Sequence, residues 1–208
     1  MPTTWLDSLT RQTRRTGRYP YPHRAAYFLN NPLRRLSGDD DRAVKRLELT
    51  GFERVLEIGP GPGYFSVAIA RNLPRGRLDL LDIQLEMLDK SRSALDRAEC
   101  YNVSFHMGDA DGELPFYDDS FDVAFLASSF GEISDRRGCI RSLHRILKPG
   151  ALLIFREGFP DPDRLSVAEL RQLVEADDFE FCDATGNRWH DIVRFRRLPL
   201  PGAVGALD

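Results

Sequence analysis

Short apolar runs alternate with amphipathic stretches from residue 54 onward, and this pattern constrains the fold more than any other feature. Continuous apolar runs such as FDVAFLA predict strands covered on both faces, whereas apolar residues at every third or fourth position predict helices. The predicted strands are residues 55–58, 78–82, 102–107, 121–127 and 151–156. The predicted helices cover residues 64–73, the stretch with Leu85, Leu88 and Leu95, residues 134–147 before Lys148-Pro149-Gly150, and a stretch opening at 166. Such alternation predicts a parallel sheet with helices on both faces.

Two further strands are predicted at the end of this region, at residues 179–184 and 189–197. They flank Thr185-Gly186-Asn187, which leaves no room for a helix, so the pair is predicted to form an antiparallel hairpin at the sheet edge. The expected fold is therefore α/β: a doubly wound, mostly parallel, Rossmann-like sheet of seven strands with this C-terminal hairpin and an N-terminal helical cap. The expected division is a basic arm with cap helices at 1–50, the main domain at 51–198 and a loose tail at 199–208.

Charge divides the chain into a basic arm and an acidic body. Residues 1–37 carry seven arginines and one acid, Asp7, whereas the rest of the chain carries 22 basic and 31 acidic side chains. An acidic body is a poor general surface for nucleic acid, while a basic arm suits phosphates, anionic lipid or the acidic body itself. The 208 residues, 42% of them hydrophobic, are enough for one domain with a full core.

Several classes of protein are disfavoured by what the sequence lacks. It has no run of 18 apolar residues and no apolar stretch of the secretory type near its start, which predicts a cytoplasmic protein without a membrane span. The scattered cysteines are predicted to be reduced and buried, and the histidines lack metal-ligand spacing, so no metal site is predicted. His144, within a predicted helix, is expected at the surface. The three cysteines are Cys100, Cys139 and Cys182, and the four histidines are His23, His106, His144 and His190.

A glycine-rich turn, Gly59-Pro60-Gly61-Pro62-Gly63, lies between the first predicted strand and the first predicted helix. Glycines allow a tight turn and a close approach of a ligand to the backbone, at the edge of the sheet where ligands of open α/β folds bind. The two prolines remove amide donors that a pyrophosphate needs, so the turn suits an uncharged or zwitterionic ligand better. Asp82 ends the second predicted strand, where a carboxylate can accept hydrogen bonds from ribose hydroxyls.

Four segments, in order and at the expected spacing, resemble the motifs of class I S-adenosylmethionine (SAM) dependent methyltransferases. They are VLEIGPGPGYFSVAIA, LLDIQLEML, GDADGELPFYDDSFDVAF and RSLHRILKPGALLIFRE. The last segment resembles the methyltransferase type 11 branch that includes ubiquinone and menaquinone C-methyltransferases, with Ala151 where a glycine is usual. The resemblance covers residues 54–157 and implies SAM as cofactor and methyl transfer as activity.

The resemblance also implies which residues contact the cofactor. Gly59, Gly61 and Gly63 would surround its methionine half, with Glu57 directed toward the amino group, and Tyr64 would also contact the cofactor. Asp82 would hold the ribose, and Ile83 and Met87 would pack near the adenine. Asp109 and Ala110 would meet the adenine amino group and ring, and Ala127 and Ser128 would lie beside the sulfonium. A purely local role for Asp109, as a capping residue of its loop, stays open.

Two glutamates are candidate catalytic residues. Glu132 stands where relatives often carry a histidine, and Glu157 is expected just past the fifth predicted strand. A carboxylate at either place can take a proton or hold a cationic acceptor, and loop capping is the alternative for both. No Asn-Pro-Pro-aromatic segment follows the fourth predicted strand, so methylation of amines on DNA bases is not expected.

The acceptor is expected to be small or lipid-like, and other functions stay open beside methyl transfer. One is a SAM-binding sensor or partner subunit without catalysis. A nicotinamide-dependent oxidoreductase is disfavoured by the G-x-G-x-G spacing and by the lack of a Tyr-x-x-x-Lys pair. For residues 1–37 the preferred interpretation is a lid across the crevice, and the alternatives are peripheral contact with a membrane or with phosphates, or simple structural packing.

Overall fold

The computed structural model describes residues 39–158, 161, 163–187 and 189–199. The predicted lid at residues 1–37 and most of the predicted tail lie outside the described residues. The helices are α1 (Asp39–Lys45), α2 (Ser66–Arg71), α3 (Leu85–Arg97), α4 (Arg136–Ile146) and α5 (Val167–Val174). The strands are β1 (Arg54–Ile58), β2 (Arg77–Asp82), β3 (Val103–Met107), β4 (Phe121–Ala127), β5 (Leu147–Gly158), β6 (Phe179–Gly186) and β7 (His190–Arg197). Short 3₁₀ turns occupy Phe130–Glu132 and Glu175–Asp177.

Seven strands form one sheet in the order β3-β2-β1-β4-β5-β7-β6. β3, β2, β1, β4 and β5 are parallel, whereas β7 runs antiparallel to both β5 and β6. The predicted doubly wound, mostly parallel sheet with a C-terminal hairpin is confirmed.

Apolar side chains cover the sheet on both faces. On one face Leu56, Leu126 and Phe155 pack with the apolar stripe of α4 and with Leu170 of α5. On the other face the strands pack with Ile69 of α2 and the stripe of α3. Both faces of the central strands are thus removed from water, which explains why their sequences are apolar without alternation. Within the described ranges, every helix falls short of the length and apolar character that crossing a bilayer needs.

The last parallel strand is longer at both ends than its sequence predicts. β5 begins at Leu147, which pairs with Phe121, and the next register pair is Leu152 with Val123. Lys148-Pro149-Gly150 therefore ends the helix but bulges within the strand, with Gly150 at a φ of +81°. At the other end β5 reaches Gly158, so Glu157 lies within the strand and not past it.

Three smaller expectations also needed correction. α2 begins at Ser66, two residues later than predicted, because the glycine-rich turn continues into residue 65. Cys100 and Cys139 are buried as predicted, but Cys182 is half-buried. His144 is half-buried and not at the surface: its ring packs edge-on against Phe179, with centroids 5.4 Å apart, and burial lowers its pKa.

Candidate cofactor and acceptor site

The carboxyl ends of the parallel strands meet along one edge of the sheet. There the chain leaves β1 toward β2 and leaves β4 toward β5, on opposite sides, so a crevice opens between the two departing loops. The glycine-rich turn follows β1, and Asp82 is the last residue of β2. The loop after β4 carries Ser128 and the 3₁₀ turn that ends at Glu132. The fold therefore brings the predicted cofactor residues of β1, β2 and β4 to one place.

All three glycines of the turn have positive φ, at +67° for Gly59, +54° for Gly61 and +83° for Gly63. A Cβ at Gly59 would lie 2.5 Å from the Ser129 Cβ, and one at Gly63 would lie 3.0 Å from the Ser91 Cα. A Cβ at Gly61 would meet no described atom within 4 Å. Gly59 and Gly63 are therefore required by packing, whereas the space beside Gly61 is open, so a ligand can approach its backbone.

Two serines from other elements hold this turn in place. The Ser129 hydroxyl donates a hydrogen bond to the Ile58 carbonyl oxygen (2.8 Å), and the Ser91 hydroxyl donates one to the Gly61 carbonyl oxygen (2.7 Å). Sequence reasoning missed both serines, because a single serine on a predicted helix or in a loop gives no signal of a partner 30 or 71 positions away.

Asp82 combines a buried carboxyl with an apolar surrounding. Its side chain is 8% exposed and accepts the Gln84 amide at 2.9 Å. Burial raises the pKa of Asp82, and hydrogen bonds from the backbone amides of Gln84, Gly61 and Ile83 counteract part of this rise. Ile83 and Met107, at the ends of β2 and β3, are exposed, while Met87 is buried. A carboxylate beside an apolar rim suits a ribose that carries a flat, weakly polar base.

Glu57 lies beneath the turn and is only 1% exposed. The Ser66 hydroxyl donates a hydrogen bond to its carboxyl at 2.6 Å. Burial raises the pKa of Glu57 to about 7, the Ser66 hydrogen bond opposes this, and the nearby Asp82 adds to it. A carboxyl that titrates near neutral pH gains charge readily when a cationic group comes close, as the amino group of the predicted cofactor would.

The residues that follow β3 are placed less simply than predicted. Asp109 is exposed, and its carboxylate accepts the Asp111 amide at 2.9 Å, which is the local capping role left open above. Ala110 is buried. Asp111 was not singled out from the sequence, yet its carboxylate accepts the amides of Ser134 (2.7 Å) and Asp135 (3.2 Å) and so joins this loop to the one after β4.

The loop after β4 is fixed at several points. Ser128 has a φ of +52°, and its amide donates to the Arg156 carbonyl oxygen at 2.8 Å. The Arg136 guanidinium donates to the carbonyl oxygens of Phe130 and Gly131. Ala127 at the end of β4, and Ser128 and Glu132 in this loop, are all half-buried.

The two candidate catalytic glutamates lie in different surroundings. Glu132 is half-buried at the end of the 3₁₀ turn that follows β4. Glu157 is fully buried, and its carboxyl accepts the Leu165 amide at 3.1 Å. The structure therefore places Glu157 beneath the surface and not in an open cleft. In the part of the chain that the structure describes, no three or more His, Cys, Asp or Glu side chains are grouped to hold a metal ion.

Comparisons with known proteins agree with this geometry. Residues 55–150 match a family described as a methyltransferase domain. The ubiquinone/menaquinone biosynthesis C-methyltransferase UbiE of Pseudomonas putida is 34% identical over 169 residues, which cover 78% of this chain and 63% of that protein. UbiE of Pseudomonas aeruginosa is 38% identical over 152 residues, covering 69% of this chain and 58% of that protein. The chain thus spans less than two thirds of the length of these relatives.

A solved structure gives the same result for the fold. A SAM-dependent methyltransferase from Aquifex aeolicus superposes with a TM-score of 0.79 at 20% identity, over 86% of this chain and all of that one. The fold is that of SAM-dependent methyltransferases, and the family match and the relatives confirm the resemblance to class I SAM-dependent methyltransferases drawn from the motifs. Residues 55–150 match the methyltransferase domain family, and over a longer span the chain is similar to ubiquinone/menaquinone biosynthesis C-methyltransferases.

Proposed function

We propose that this protein transfers a methyl group from SAM to a small, lipid-like acceptor of the quinone type. The observation that carries the proposal is that the Gly61 backbone amide hydrogen-bonds to the Asp82 carboxyl, while a Cβ at Gly61 would meet only open space. The quinone type of acceptor is suggested by the two Pseudomonas relatives, which are ubiquinone/menaquinone biosynthesis C-methyltransferases.

Each side of the crevice has a proposed task. SAM, when bound, supplies the methyl group and leaves as S-adenosylhomocysteine, while the acceptor gives up a proton. The glycine turn admits the cofactor close to the backbone, Asp82 accepts hydrogen bonds from the ribose, and Glu57 balances the amino group. The loop after β4 forms the side of the crevice that binds the methyl acceptor. There Glu132 takes up the proton that this substrate loses, or orients its polar group. Alignment of the two reactants supplies most of the rate enhancement.

The proposal extends to the division of the chain, to the role of its N-terminal arm and to its place in the cell. Residues 1–50 form a basic arm and cap that closes over the acceptor, residues 51–198 form the catalytic domain, and 199–208 form a tail. The arm's arginines face an anionic acceptor or a membrane surface from which a lipid-like acceptor is drawn. The protein acts in the cytoplasm and does not act on DNA.

A transfer assay tests the proposed function. The purified chain is incubated with methyl-labelled SAM and, in detergent, a short-chain naphthoquinol or benzoquinol, and label in the organic phase is counted. We expect label to enter the quinol with the wild-type protein and not with Gly61→Val. Cofactor binding without transfer to quinols, phenols or amines would favour the sensor alternative, and failure to bind SAM would overturn the cofactor assignment as well.

A further inference from the structure

Polar residues that the cofactor crevice does not use are buried where β5 ends and β7 begins. They are Arg156, Glu157, Arg164, His190 and Asp191, each 6% exposed or less. Burial of polar and charged groups is costly unless they are paired or have a function. The arrangement of this cluster therefore calls for an explanation of its own.

The cluster fastens residues 163–165, which connect β5 to α5, to two strands of the sheet. Glu157 of β5 and Asp191 of β7 are register partners in an antiparallel pair, so their side chains lie on the same face of the sheet. The Arg164 guanidinium donates to the Asp191 carboxylate at 2.8 Å, and the next residue, Leu165, donates its amide to the Glu157 carboxyl at 3.1 Å. Two adjacent residues of the segment are thus held by carboxyls from two different strands.

This segment also forms a wall against the loop after β4. A Cβ at Gly131 would lie only 2.1 Å from the Asp163 carbonyl oxygen, so Gly131 and Asp163 are in backbone contact. The neighbouring Phe130 packs on Phe155 of β5, with ring centroids 4.8 Å apart. Because Glu132 follows Gly131 directly, its place at the crevice depends on where residues 163–165 lie.

We propose that Glu157 is a positioning residue, which fastens residues 163–165 to β5 and thereby fixes the wall that they form against the loop carrying Glu132. The link to acceptor binding rests on the proposed function, in which this loop forms the acceptor side. The fastening itself is a property of the fold and can be tested without any acceptor.

The charge state of Glu157 makes the fastening sensitive to pH. Burial raises the pKa of Glu157 to about 8, the negative charge of Asp161 adds to this, and the Leu165 amide, Arg164 and Arg156 oppose it. From β7, Asp191 faces Glu157 but is engaged by Arg164, and His190 lies opposite Gly158. No described residue donates a hydrogen bond to the Glu157 Oε1 atom, so the buried carboxyl has little to stabilise a charge.

Proton linkage gives the direction of the effect. A carboxyl hydrated by local opening titrates near its ordinary pKa of 4.5, whereas the closed form keeps its proton up to about pH 8. Opening therefore releases a proton between these values, and the opening equilibrium constant rises with pH by at most about tenfold per unit. In Glu157→Gln, which mimics the protonated side chain, this dependence is absent.

Amide hydrogen exchange followed by NMR on the full chain tests the proposal. Two reporter amides are Leu165, bonded to Glu157, and Glu132, bonded to the Ser129 carbonyl oxygen at 3.2 Å. Rates in the wild type are divided by those in Glu157→Gln at pH 5.5, 6.5 and 7.5, which cancels the chemical pH dependence of exchange. We expect this ratio to rise with pH for both amides, by several-fold or more over the range.

Two further variants complete the test. Glu157→Ala should speed exchange at both amides about tenfold or more while leaving S-adenosylhomocysteine affinity within about twofold, and Glu180→Ala, an exposed glutamate of β6, should change neither. A ratio that does not vary with pH, or faster exchange at Leu165 without a change at Glu132, overturns the proposal. Neither measurement needs methyl transfer, so the test remains decisive even if the proposed function fails. If Glu157→Ala does not fold, the comparison with Glu157→Gln is sufficient.

Discussion

Asp82 is the single side chain on which the cofactor assignment depends most. Its carboxyl is nearly buried at the end of β2, so a ribose bound there would have its hydroxyls paired with a desolvated acceptor. Asp82→Ala leaves those hydroxyls without a partner, and we expect it to weaken S-adenosylhomocysteine binding by about 1–3 kcal/mol. Titration calorimetry measures the change. Asp89→Ala, which removes an exposed acid of α3, is the control. Unchanged affinity in Asp82→Ala would contradict the assignment.

The proposed role of Gly61 in cofactor binding can be tested by comparison with Gly150, a glycine far along the chain that also has a positive φ. Gly61 and Gly150 both have positive φ, +54° and +81°, and a Cβ at either meets no described atom within 4 Å. Valine at either position is expected to cost about 1–3 kcal/mol of unfolding free energy, from backbone strain. Only Gly61→Val should also abolish SAM binding, because its side chain fills the crevice. Thermal unfolding and a SAM titration separate the two effects, and normal binding in a folded Gly61→Val protein would refute the site.

Glu57 gives the cofactor affinity a predicted dependence on pH. Its pKa of about 7 lies above the ordinary 4.5, because burial favours the neutral form. If a bound amino group draws Glu57 into its charged form, binding releases a proton below pH 7. The affinity for S-adenosylhomocysteine should then rise between pH 5.5 and 7, by at most about tenfold per unit. Calorimetry across this range should show a weaker and flatter dependence in Glu57→Gln, while Ser66→Ala keeps the slope. Equal slopes in wild type and Glu57→Gln would rule out this coupling.

At the scale of elements, hydrogen bonds between loops hold the loops at the carboxyl ends of the strands in fixed positions. The Asp111 carboxylate joins the loop after β3 to the start of α4 through the amides of Ser134 and Asp135. Asp111→Ala should lower the unfolding free energy by about 1–2 kcal/mol and loosen both loops, since two amides lose a charged acceptor. Chemical denaturation and amide exchange at Ser134 measure this. Asp96→Ala, on the exposed face of α3, is expected to have no effect, and equal losses in the two variants would refute the linking role.

The sequence predicts elements better than it predicts how they are joined. The continuous apolar runs of the central strands reflect burial on both faces, so these strands could be predicted from the sequence. The hairpin of β6 and β7 could be predicted from the turn residues between them. The start of β5 was mispredicted because Lys148-Pro149-Gly150 is typical of a stop, and only pairing of Leu147 with Phe121 shows that the strand has begun. Contacts such as Ser91 to Gly61, or Ser129 to Ile58, depend on tertiary closure and leave no local pattern.

At the scale of the whole molecule, the segment at the end of α1 is attached to the edge of the sheet formed by β6 and β7. The end of α1 is tied to the β6–β7 edge by charged pairs: Arg46 with Asp183, and Arg194 with Glu48. The Arg194 side chain is buried, whereas its partner Glu48 is 54% exposed, so only the arginine of this pair is shielded from water. Among the described residues, Ala43, Val44 and Leu47 also join one of the two core clusters. The segment around α1 is therefore packed as part of the domain.

Removing the arm separates its proposed roles. Deletion of residues 1–37 keeps α1 and its ion pairs, so the circular dichroism spectrum of the domain should be preserved. If the arm is a lid, the deletion abolishes methyl transfer to a quinol probe and weakens SAM binding. Replacing its seven arginines by glutamine should then leave transfer to a detergent-solubilised quinol largely intact, since the lid is still present. Transfer at the full-length rate in the deletion variant would refute the lid, and loss of liposome binding alone in both variants would establish the membrane contact instead.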